Sequence, residues 1–393
     1  MKPYKVMLCV QGEGRGHLTQ ALAISALLEN AGCLITCVTV GESSERQVPD
    51  FFLQKFKVPV IRLASPNFIK TKDKRSISIV KTISGNMLRS HEYRDSIKML
   101  KAAIDEHHPD ILINFYEPLV GWLRFVHKPT FKIISIAHQY TYLHPIHTFP
   151  PGNRLAVFLT KLYTKLTSIG SDKILAISMY NMLRCPDNKL VVIPPILRKE
   201  LFQQQVKQEN FTLIYLLNSG YIQDILNWHE KHPESVLHCF TDCANVKYLH
   251  HGKWQVNDNL VFHSLNDVKF LELMSRCKGL VCNAGFESVC EAMYLGKPVV
   301  MVPVKGHFEQ FCNAMDCTRI GAGKYAENFD LELIDNHFKF QHIQNGNIYK
   351  SWVQQMERIV MTEIESLFAK ESSNYRDQLT DPSFSSFNEM PSV

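Results

Sequence analysis

The sequence has 393 residues, of which 45% are hydrophobic and 21% charged, and its formal net charge is +5. This length exceeds what one hydrophobic core usually organises, so we predict a globular protein of two domains. The 11 cysteines are scattered and odd in number, which argues against a disulfide framework. No apolar run approaches the roughly 18 residues of a membrane span. We therefore expect a cytoplasmic location.

The first half of the chain alternates short apolar runs with helical patterns. Runs that are apolar at almost every position suit strands buried on both faces of a parallel sheet. Such strands alternating with helices predict a doubly wound α/β domain over residues 1–193. The predicted strands have the sequences KVMLCV, CLITCVTV, DILINFY, FKIISIA and DKILAIS.

A glycine-rich loop, GEGRGH over residues 12–17, follows the first predicted strand and leads into a helix that ends near Gly32. A dinucleotide fingerprint would need glycine in place of His17, and a P-loop would need Gly-Lys before Ser or Thr. The glycines permit close approach of a ligand, and the helix start offers unpaired N–H groups. An imidazole, with an ordinary pKa of about 6.5, suits a general base at His17. The alternative is that His17 only caps the helix.

Residues 55–101 carry 12 Lys or Arg against three Asp or Glu, so this segment holds +9 and the remainder −4. Two interpretations stay open. The charge forms a solvated face of loops and helices, or it forms a surface for an anionic partner such as a lipid leaflet or a phosphorylated acceptor. Nucleic acid is not expected, because no interleaved aromatic residues accompany the charge.

The α/β pattern stops at Pro194-Pro195 and then resumes. Consecutive prolines suit neither a helix interior nor a central strand, so we predict a linker over 194–208 and a second α/β domain over 209–349. Two such domains in tandem form a cleft that the carboxyl ends of their strands face. A closing amphipathic helix is predicted over 350–371, and a disordered, Ser/Pro-rich tail over 372–393.

The segment CNAGFESVCEAMYLGKPVVMVPVKGHFEQFCNA, residues 282–314, carries the most specific chemical pattern. A strand ends before Gly285 and a helix begins close to Ser288, so backbone N–H groups and the Ser288 hydroxyl can hold a diphosphate. Glu291 lies one turn further on the same helical face, where a carboxylate can accept hydrogen bonds from both hydroxyls of a ribose. The next predicted helix places three further polar residues over the same cleft: Glu309, Gln310 and Asn313.

Together the two motifs resemble those of the GT-B glycosyltransferases, in the style of the MurG-type and UDP-glycosyltransferase-like enzymes. The family's first loop, G-x-G-x-G-H, matches residues 12–17. Its donor signature, G-x-x-[ST]-x-x-E followed by G-K-P and [DEQ]-Q-x-x-N-A, matches residues 285–291, 296–298 and 309–314. The resemblance covers nearly the whole chain and implies two Rossmann-like domains that transfer a sugar from a nucleotide-diphospho-sugar.

The resemblance also implies a role for each matched residue. His17 would accept the proton of the acceptor hydroxyl, or at least line the acceptor side. Gly285 and Ser288 would bind the diphosphate, Glu291 the ribose and Gln310 the donor sugar. The other residues expected in the site are Gly12, Gly14, Arg15 and Gly16 on the acceptor or phosphate side, and Asn218, Ser219, Phe286, Glu287, Glu309 and Asn313 on the donor side, with Ser264 and Leu265 beside the nucleobase.

The roles of Glu117 and of three histidines close together in the chain stay open. Glu117, in the strand-end motif NFYEPLVGW, resembles an acidic motif of a poorly characterised bacterial and archaeal branch of the family. It is predicted to orient His17 or to contact the acceptor, and the alternative is a simple strand-end carboxylate. His138, His144 and His147 suit a loop over the acceptor cleft, and the alternative is a metal site. The resemblance implies that helix dipoles neutralise the leaving group, so we expect neither a metal nor a cofactor.

The sequence thus predicts a cytoplasmic glycosyltransferase that uses a nucleotide-sugar, most simply a UDP-sugar, and inverts the anomeric configuration. The basic segment suggests a lipid-linked or anionic acceptor and peripheral contact with the inner leaflet of the cytoplasmic membrane. Two alternatives are kept: a UDP-sugar 2-epimerase, which shares the fold, and a protein that binds nucleotide-sugars without turnover.

Overall fold

The computed structural model describes residues 3–12, 14–43, 48–66, 79–126, 130–152, 154–182, 184–217, 219–241, 252–337 and 342–379. Within these ranges the chain forms two sheets of seven strands each. Helices connect the strands and cover the sheets, as in a doubly wound fold.

The N-terminal half of the chain forms the first sheet. Its strands are β1 (Lys5–Gln11), β2 (Leu34–Glu42), β3 (Val60–Ala64), β4 (Ile111–Phe115), β5 (Lys132–Ala137), β6 (Lys173–Ile177) and β7 (Leu190–Ile193). They pair in the order β3-β2-β1-β4-β5-β6-β7, and all neighbours are parallel. The five predicted strands are confirmed. The two missed strands, β3 and β7, lie at the sheet edges, where only part of each strand is buried.

Helices connect these strands on both faces of the sheet. They are α1 (Arg15–Asn30), α2 (Asp50–Leu53), α3 (Ile79–Leu88), α4 (Ser90–His107), α5 (Pro118–Val126) and α6 (Arg154–Thr167), and a 3-10 helix covers His138–Leu143. The predicted stop of α1 is confirmed, because Gly32 follows it with a φ of +84°. Glycine adopts this left-handed conformation without the strain that a Cβ atom would cause.

The second half repeats the architecture. Its strands are β8 (Thr212–Leu216), β9 (Leu237–Thr241), β10 (Lys253–Gln255), β11 (Leu260–His263), β12 (Gly279–Cys282), β13 (Val299–Met301) and β14 (Gly323–Tyr325). They pair in the order β10-β11-β9-β8-β12-β13-β14, with only β10 antiparallel. The helices are α7 (Ile222–Lys231), α8 (Asp267–Arg276), α9 (Phe286–Tyr294), α10 (Phe308–Arg319) and α11 (Glu332–His337).

The segment between β7 and β8 contains only a short 3-10 helix, Lys199–Gln203. The C-terminal part corrects two predictions. In place of one helix over 350–371 there are α12 (His342–Gln354) and α13 (Met356–Leu379), so the expected domain end at residue 349 falls inside α12. The expected disorder from residue 372 is wrong as far as Leu379, which ends α13; the rest of that tail lies outside the described residues.

The C-terminal helices return to the first half of the chain. Trp352 Nε1 donates a hydrogen bond to the Ser178 carbonyl at 3.0 Å, and Lys173 Nζ lies 2.6 Å from Glu363 Oε2. The rings of Tyr4 and Phe368 stack with centroids 4.3 Å apart. The C-terminal helices therefore pack against the first half of the chain, including β7. Among the described residues, no helix is both long enough and apolar enough to span a membrane.

Candidate active site

A cavity of about 250 Å³ lies between the two halves and is lined by residues that follow strands of both sheets. From the first half come residues after β1, β4 and β5, and from the second half residues after β8, β11, β12 and β13. The predicted site residues that line it are Gly14, Arg15, Gly16, His17, Leu265, Gly285, Phe286, Glu287, Ser288, Glu291, Glu309 and Gln310. The structure therefore brings the two sequence motifs into one site.

His17 lies in the first turn of α1, and its side chain is buried, with 6% exposed. Its Nδ1 has no hydrogen-bond partner among the residues described. Burial lowers the pKa of His17 from its usual value to about 4, and the neighbouring His138 adds to this effect. An imidazole with this pKa is neutral at physiological pH. A neutral ring nitrogen can accept a proton, as a general base must.

Four aromatic rings form a column across the cleft. His17 stacks between Tyr116, at 5.7 Å, and His138, at 6.3 Å, and His138 in turn stacks on Phe286 at 4.5 Å. Phe286 begins α9, so the column joins the two halves of the chain next to the cavity. His144 and His147 were predicted to share the loop with His138, but they are not among the residues that line the cavity.

His138 also contacts the start of α10. Its Nε2 lies 3.1 Å from Glu309 Oε1, across the boundary between the two halves. Burial opposes ionisation of Glu309, but the contact with His138 and the nearby His307 together outweigh it, and the pKa of the carboxyl lies well below its usual range. Glu309 is therefore an anion whose position depends on His138.

The glycine loop fits closely against its surroundings. Gly12 N donates to the Gly41 carbonyl at 2.9 Å, and a Cβ atom on Gly12 would clash with that same carbonyl. A Cβ atom on Gly16 would clash with the Glu287 carboxylate. Gln20 Nε2 donates to Glu287 Oε1 at 2.5 Å. Glycine at residue 16 thus allows α1 to meet the first turn of α9.

The loop before α9 presents the amino end of that helix to the cavity. Ala284 has a φ of +57°, and Gly285 is the N-cap in an extended conformation. Asn283 holds the loop, since it accepts from Leu217 N at 2.8 Å and donates to the Val302 carbonyl at 2.9 Å. Gly285 and Ser288 line the cavity. The amino ends of α1 and α9 thus meet at one cavity, which favours an anion such as a diphosphate.

Glu291 is paired with Arg198, which the sequence analysis did not find. Arg198 Nε lies 2.5 Å from Glu291 Oε1 and Nη2 lies 2.7 Å from Oε2, and the Glu291 side chain is 3% exposed. Both residues line the cavity. The available signal was the position of Arg198 just after Pro194-Pro195, in the predicted linker over 194–208. Bidentate geometry of this kind fixes the carboxylate firmly.

Five of the predicted site residues do not line the cavity, namely Gly12, Ser219, Ser264, Asn313 and Glu117. Gly12 contacts Gly41, as described above, and Ser264 N donates to the Gly252 carbonyl at 2.8 Å. Asn313 Nδ2 donates to the Ala284 carbonyl at 3.1 Å, so it supports the α9 loop from behind. Ser219 starts a 3-10 helix outside the cavity lining. A sixth predicted residue, Asn218, lies outside the described residues.

Glu117 is the fifth. It does not line the cavity, and its Oε1 accepts hydrogen bonds from Ser65 Oγ at 2.7 Å and from Leu119 N at 3.1 Å. Tyr116 has a φ of +61°, and this turn of the chain directs the Tyr116 ring to His17 and the next side chain away from it. Burial raises the pKa of Glu117 to about 7. The structure favours the alternative of a strand-end carboxylate.

Within the described ranges, no three His, Cys, Asp or Glu side chains are grouped so as to hold a metal ion. The ten cysteines described are free and buried.

Comparison with known proteins agrees with this architecture. Among solved structures the chain is similar to the glycotransferase of kitacinnamycin (13% identity, 93% of this chain and 99% of that chain, TM-score 0.62). It is also similar to Arabidopsis thaliana UGT89C1 complexed with quercetin (12%, 92% and 99%, 0.60). A third is the spinosyn rhamnosyltransferase SpnG complexed with thymidine diphosphate (13%, 91% and 99%, 0.57). At these identities the likeness shows the fold.

A search of curated proteins gives no match. A family model described as glycosyl transferase family 1, however, matches residues 4–340, which include both sheets and every residue that lines the cavity. The chain therefore belongs to glycosyl transferase family 1 and is a glycosyltransferase with the two-domain GT-B fold.

Proposed function

We propose that this glycosyltransferase moves a sugar from a UDP-sugar to an acceptor hydroxyl with inversion at the anomeric carbon. One observation carries the proposal: a buried, neutral His17 from the first half and the open amino end of α9 from the second half line the same cavity. A base for the acceptor and an anion site for the leaving group are the two elements that direct displacement needs.

In the proposed step, the acceptor oxygen attacks the anomeric carbon on the side opposite the diphosphate. His17 takes the hydroxyl proton as the new carbon–oxygen bond forms. The bond between the anomeric carbon and the diphosphate oxygen breaks, and its electron pair leaves with the diphosphate. Backbone N–H groups at the start of α9 and the Ser288 hydroxyl would stabilise this charge, so the proposal requires neither a metal ion nor a cofactor.

We assign the ribose to Glu291 and the nucleobase to the chain near Leu265, since both residues line the cavity. The ribose hydroxyls must then share or replace the two hydrogen bonds that Arg198 makes to Glu291. A nucleoside diphosphate is present in the structure of SpnG, where the base is thymine. A carboxylate that accepts from both ribose hydroxyls favours UDP over a 2′-deoxy nucleotide.

We assign the donor sugar to Glu309 and Gln310. Gln310 Oε1 accepts from Val304 N at 2.8 Å, and Glu309 is held by His138, so both side chains are fixed before a sugar binds. The acceptor would enter on the side of His17 and Tyr116. The basic segment over 55–101 supports a lipid-linked or anionic acceptor in the cytoplasm, at the inner leaflet of the membrane; its residues 67–78 lie outside those described.

Calorimetric titration without added metal tests the donor assignment. We expect UDP to bind more tightly than GDP, ADP or dTDP, and 2′-deoxy-UDP to bind about tenfold more weakly than UDP, because one hydrogen bond to a carboxylate is lost. In Glu291→Gln the difference between UDP and 2′-deoxy-UDP should shrink, whereas Glu234→Ala, an exposed carboxylate outside the cavity lining, should leave it unchanged. Equal affinity for both nucleotides in the wild type would refute the role of Glu291.

A further inference from the structure

Helix α6 presents an unusual outward face. Its exposed apolar residues are Leu155, Phe158 and Leu162, with relative exposures of 63%, 62% and 43%. These positions are three and four residues apart, so they lie on one side of the helix. The remaining exposed residues of α6 are all cationic: Arg154, Lys161 and Lys165. The outward face therefore combines large apolar side chains with positive charge and contains no acidic residue.

This pattern differs from the one expected for a helix on the surface of a globular domain. There the apolar stripe faces the core and polar residues face water. In α6 the two fully buried residues are Thr164 and Thr167, whereas three large apolar residues are exposed. Large apolar groups that a fold leaves grouped in water mark a surface that contacts something else.

The inner side of α6 is connected to the active site. Thr164 Oγ1 and Tyr116 Oη are 2.8 Å apart, and the rings of Tyr163 and Tyr116 meet edge to face at 5.6 Å. Tyr116 stacks on His17. Only one ring thus separates α6 from His17, so whatever binds the outer face of α6 lies about one helix diameter, roughly 10 Å, beyond the acceptor side of the cleft.

The neighbouring helices extend this surface. α4, α5 and α6 pack in sequence along one side of the first sheet, and α3 contacts α4. Further large apolar residues are exposed at the end of α3 and on α4, namely Met87, Leu88 and Met99. Exposed apolar residues therefore continue from α6 onto α3 and α4, whereas the charge on α4 is mixed, because Asp95 and Asp105 pair with Lys98 and Lys101.

We propose that the outward face of α6 docks on an anionic lipid bilayer. Its Leu and Phe side chains would enter the boundary between headgroups and acyl chains, while Arg154, Lys161 and Lys165 contact the lipid phosphates. Charge complementarity selects this occupant, because the exposed face of α6 carries three cations and no acidic residue. The inference deepens the proposed function in one respect: docking through α6 places the acceptor side of the cleft at the membrane, where a lipid-linked acceptor resides.

Sedimentation of the full-length protein with vesicles tests the proposal. Wild type should sediment with mixed phosphatidylcholine–phosphatidylglycerol vesicles and much less with phosphatidylcholine alone, and added salt should weaken the binding. The variant R154Q/K161Q/K165Q should bind roughly 100-fold more weakly, at about fivefold per cation. The variant L155S/F158S/L162S should also lose binding. A matched control, V206S/V268S/I348S, changes exposed apolar residues of the second half and should bind as wild type.

The outcomes separate the proposals. If L155S/F158S/L162S binds vesicles as well as the wild type does, or if wild type does not bind them, the lipid surface is wrong. If wild type self-associates in sedimentation velocity and this triple variant is monomeric, the face binds a second copy instead and the proposal is overturned. Calorimetry with UDP on the same variants should be unaffected, because the face lies outside the cavity. Loss of vesicle binding and loss of nucleotide binding are therefore independent failures.

Discussion

Replacing His17 with alanine is expected to slow sugar transfer by roughly 100-fold or more while leaving UDP binding close to wild type. The reason is that His17 would act on the acceptor proton, whereas the nucleotide would contact α9 and Glu291. The measurement is the rate of nucleotide release together with the affinity from calorimetry. His144→Ala is a matched control, because His144 is equally buried but does not line the cavity. Equal losses in both variants would indicate a general effect of replacing a buried histidine.

The pH profile gives the same test in the wild type. A base must be unprotonated, so the rate should fall as the pH drops through the pKa of His17, which is about 4. An imidazole in water would lose its base form at about 6.5 instead. Because this pKa is lowered by folding, the contribution of His17 to stability is full above pH 6.5 and is lost as the pH falls toward 4. A rate limb near 6.5, with the fold intact, would contradict a buried base.

Replacing Arg198 with alanine is expected to lower the free energy of unfolding by about 3 kcal/mol or more. The change leaves the Glu291 carboxylate, whose side chain is only 3% exposed, without its bidentate partner. Denaturant unfolding of Arg198→Ala, Glu291→Ala and the double variant measures the coupling. The double variant should recover much of the stability that Arg198→Ala loses, because no uncompensated charge remains.

The nucleotide provides a second readout for this pair. If the ribose binds Glu291, UDP should restore part of the lost stability in Arg198→Ala, since ribose hydroxyls would replace the missing donors. It should give no such recovery in the double variant. Additive losses in the three variants, and an equal UDP effect in all of them, would show that Arg198 and Glu291 act separately.

The sequence was informative wherever the site is local in the chain. The loop over residues 12–17 and the turn before α9 each combine a strand end, glycines and a helix start within a few residues. Such patterns predict where a helix begins, and residues at the starts of α1 and α9 line the cavity. Parallel strands also follow from continuous apolar runs, because burial on both faces leaves no polar positions.

Contacts between distant elements did not follow from the sequence. Arg198 and Glu291 are 93 residues apart, and His138 meets Phe286 only because β5 and β12 end at the same cleft. The hydrophobic pattern of one segment does not indicate which distant segment it contacts. The two alternatives for Glu117 could not be separated from the sequence either, because the left-handed backbone at Tyr116 affects which side chains face the cleft. Sequence patterns of strand ends do not specify that turn, since non-glycine residues rarely adopt it.

Direct displacement can be observed in a proton NMR time course of an α-linked UDP-sugar with concentrated enzyme and no added acceptor, so that water acts as a slow acceptor. We expect release of UDP together with the β-anomer of the free sugar, ahead of its mutarotation, and loss of this signal in His17→Ala. Release of the α-anomer would contradict direct displacement. A changed sugar still attached to UDP would indicate an epimerase, and bound but unaltered UDP-sugar would indicate a protein that binds its ligand without turnover.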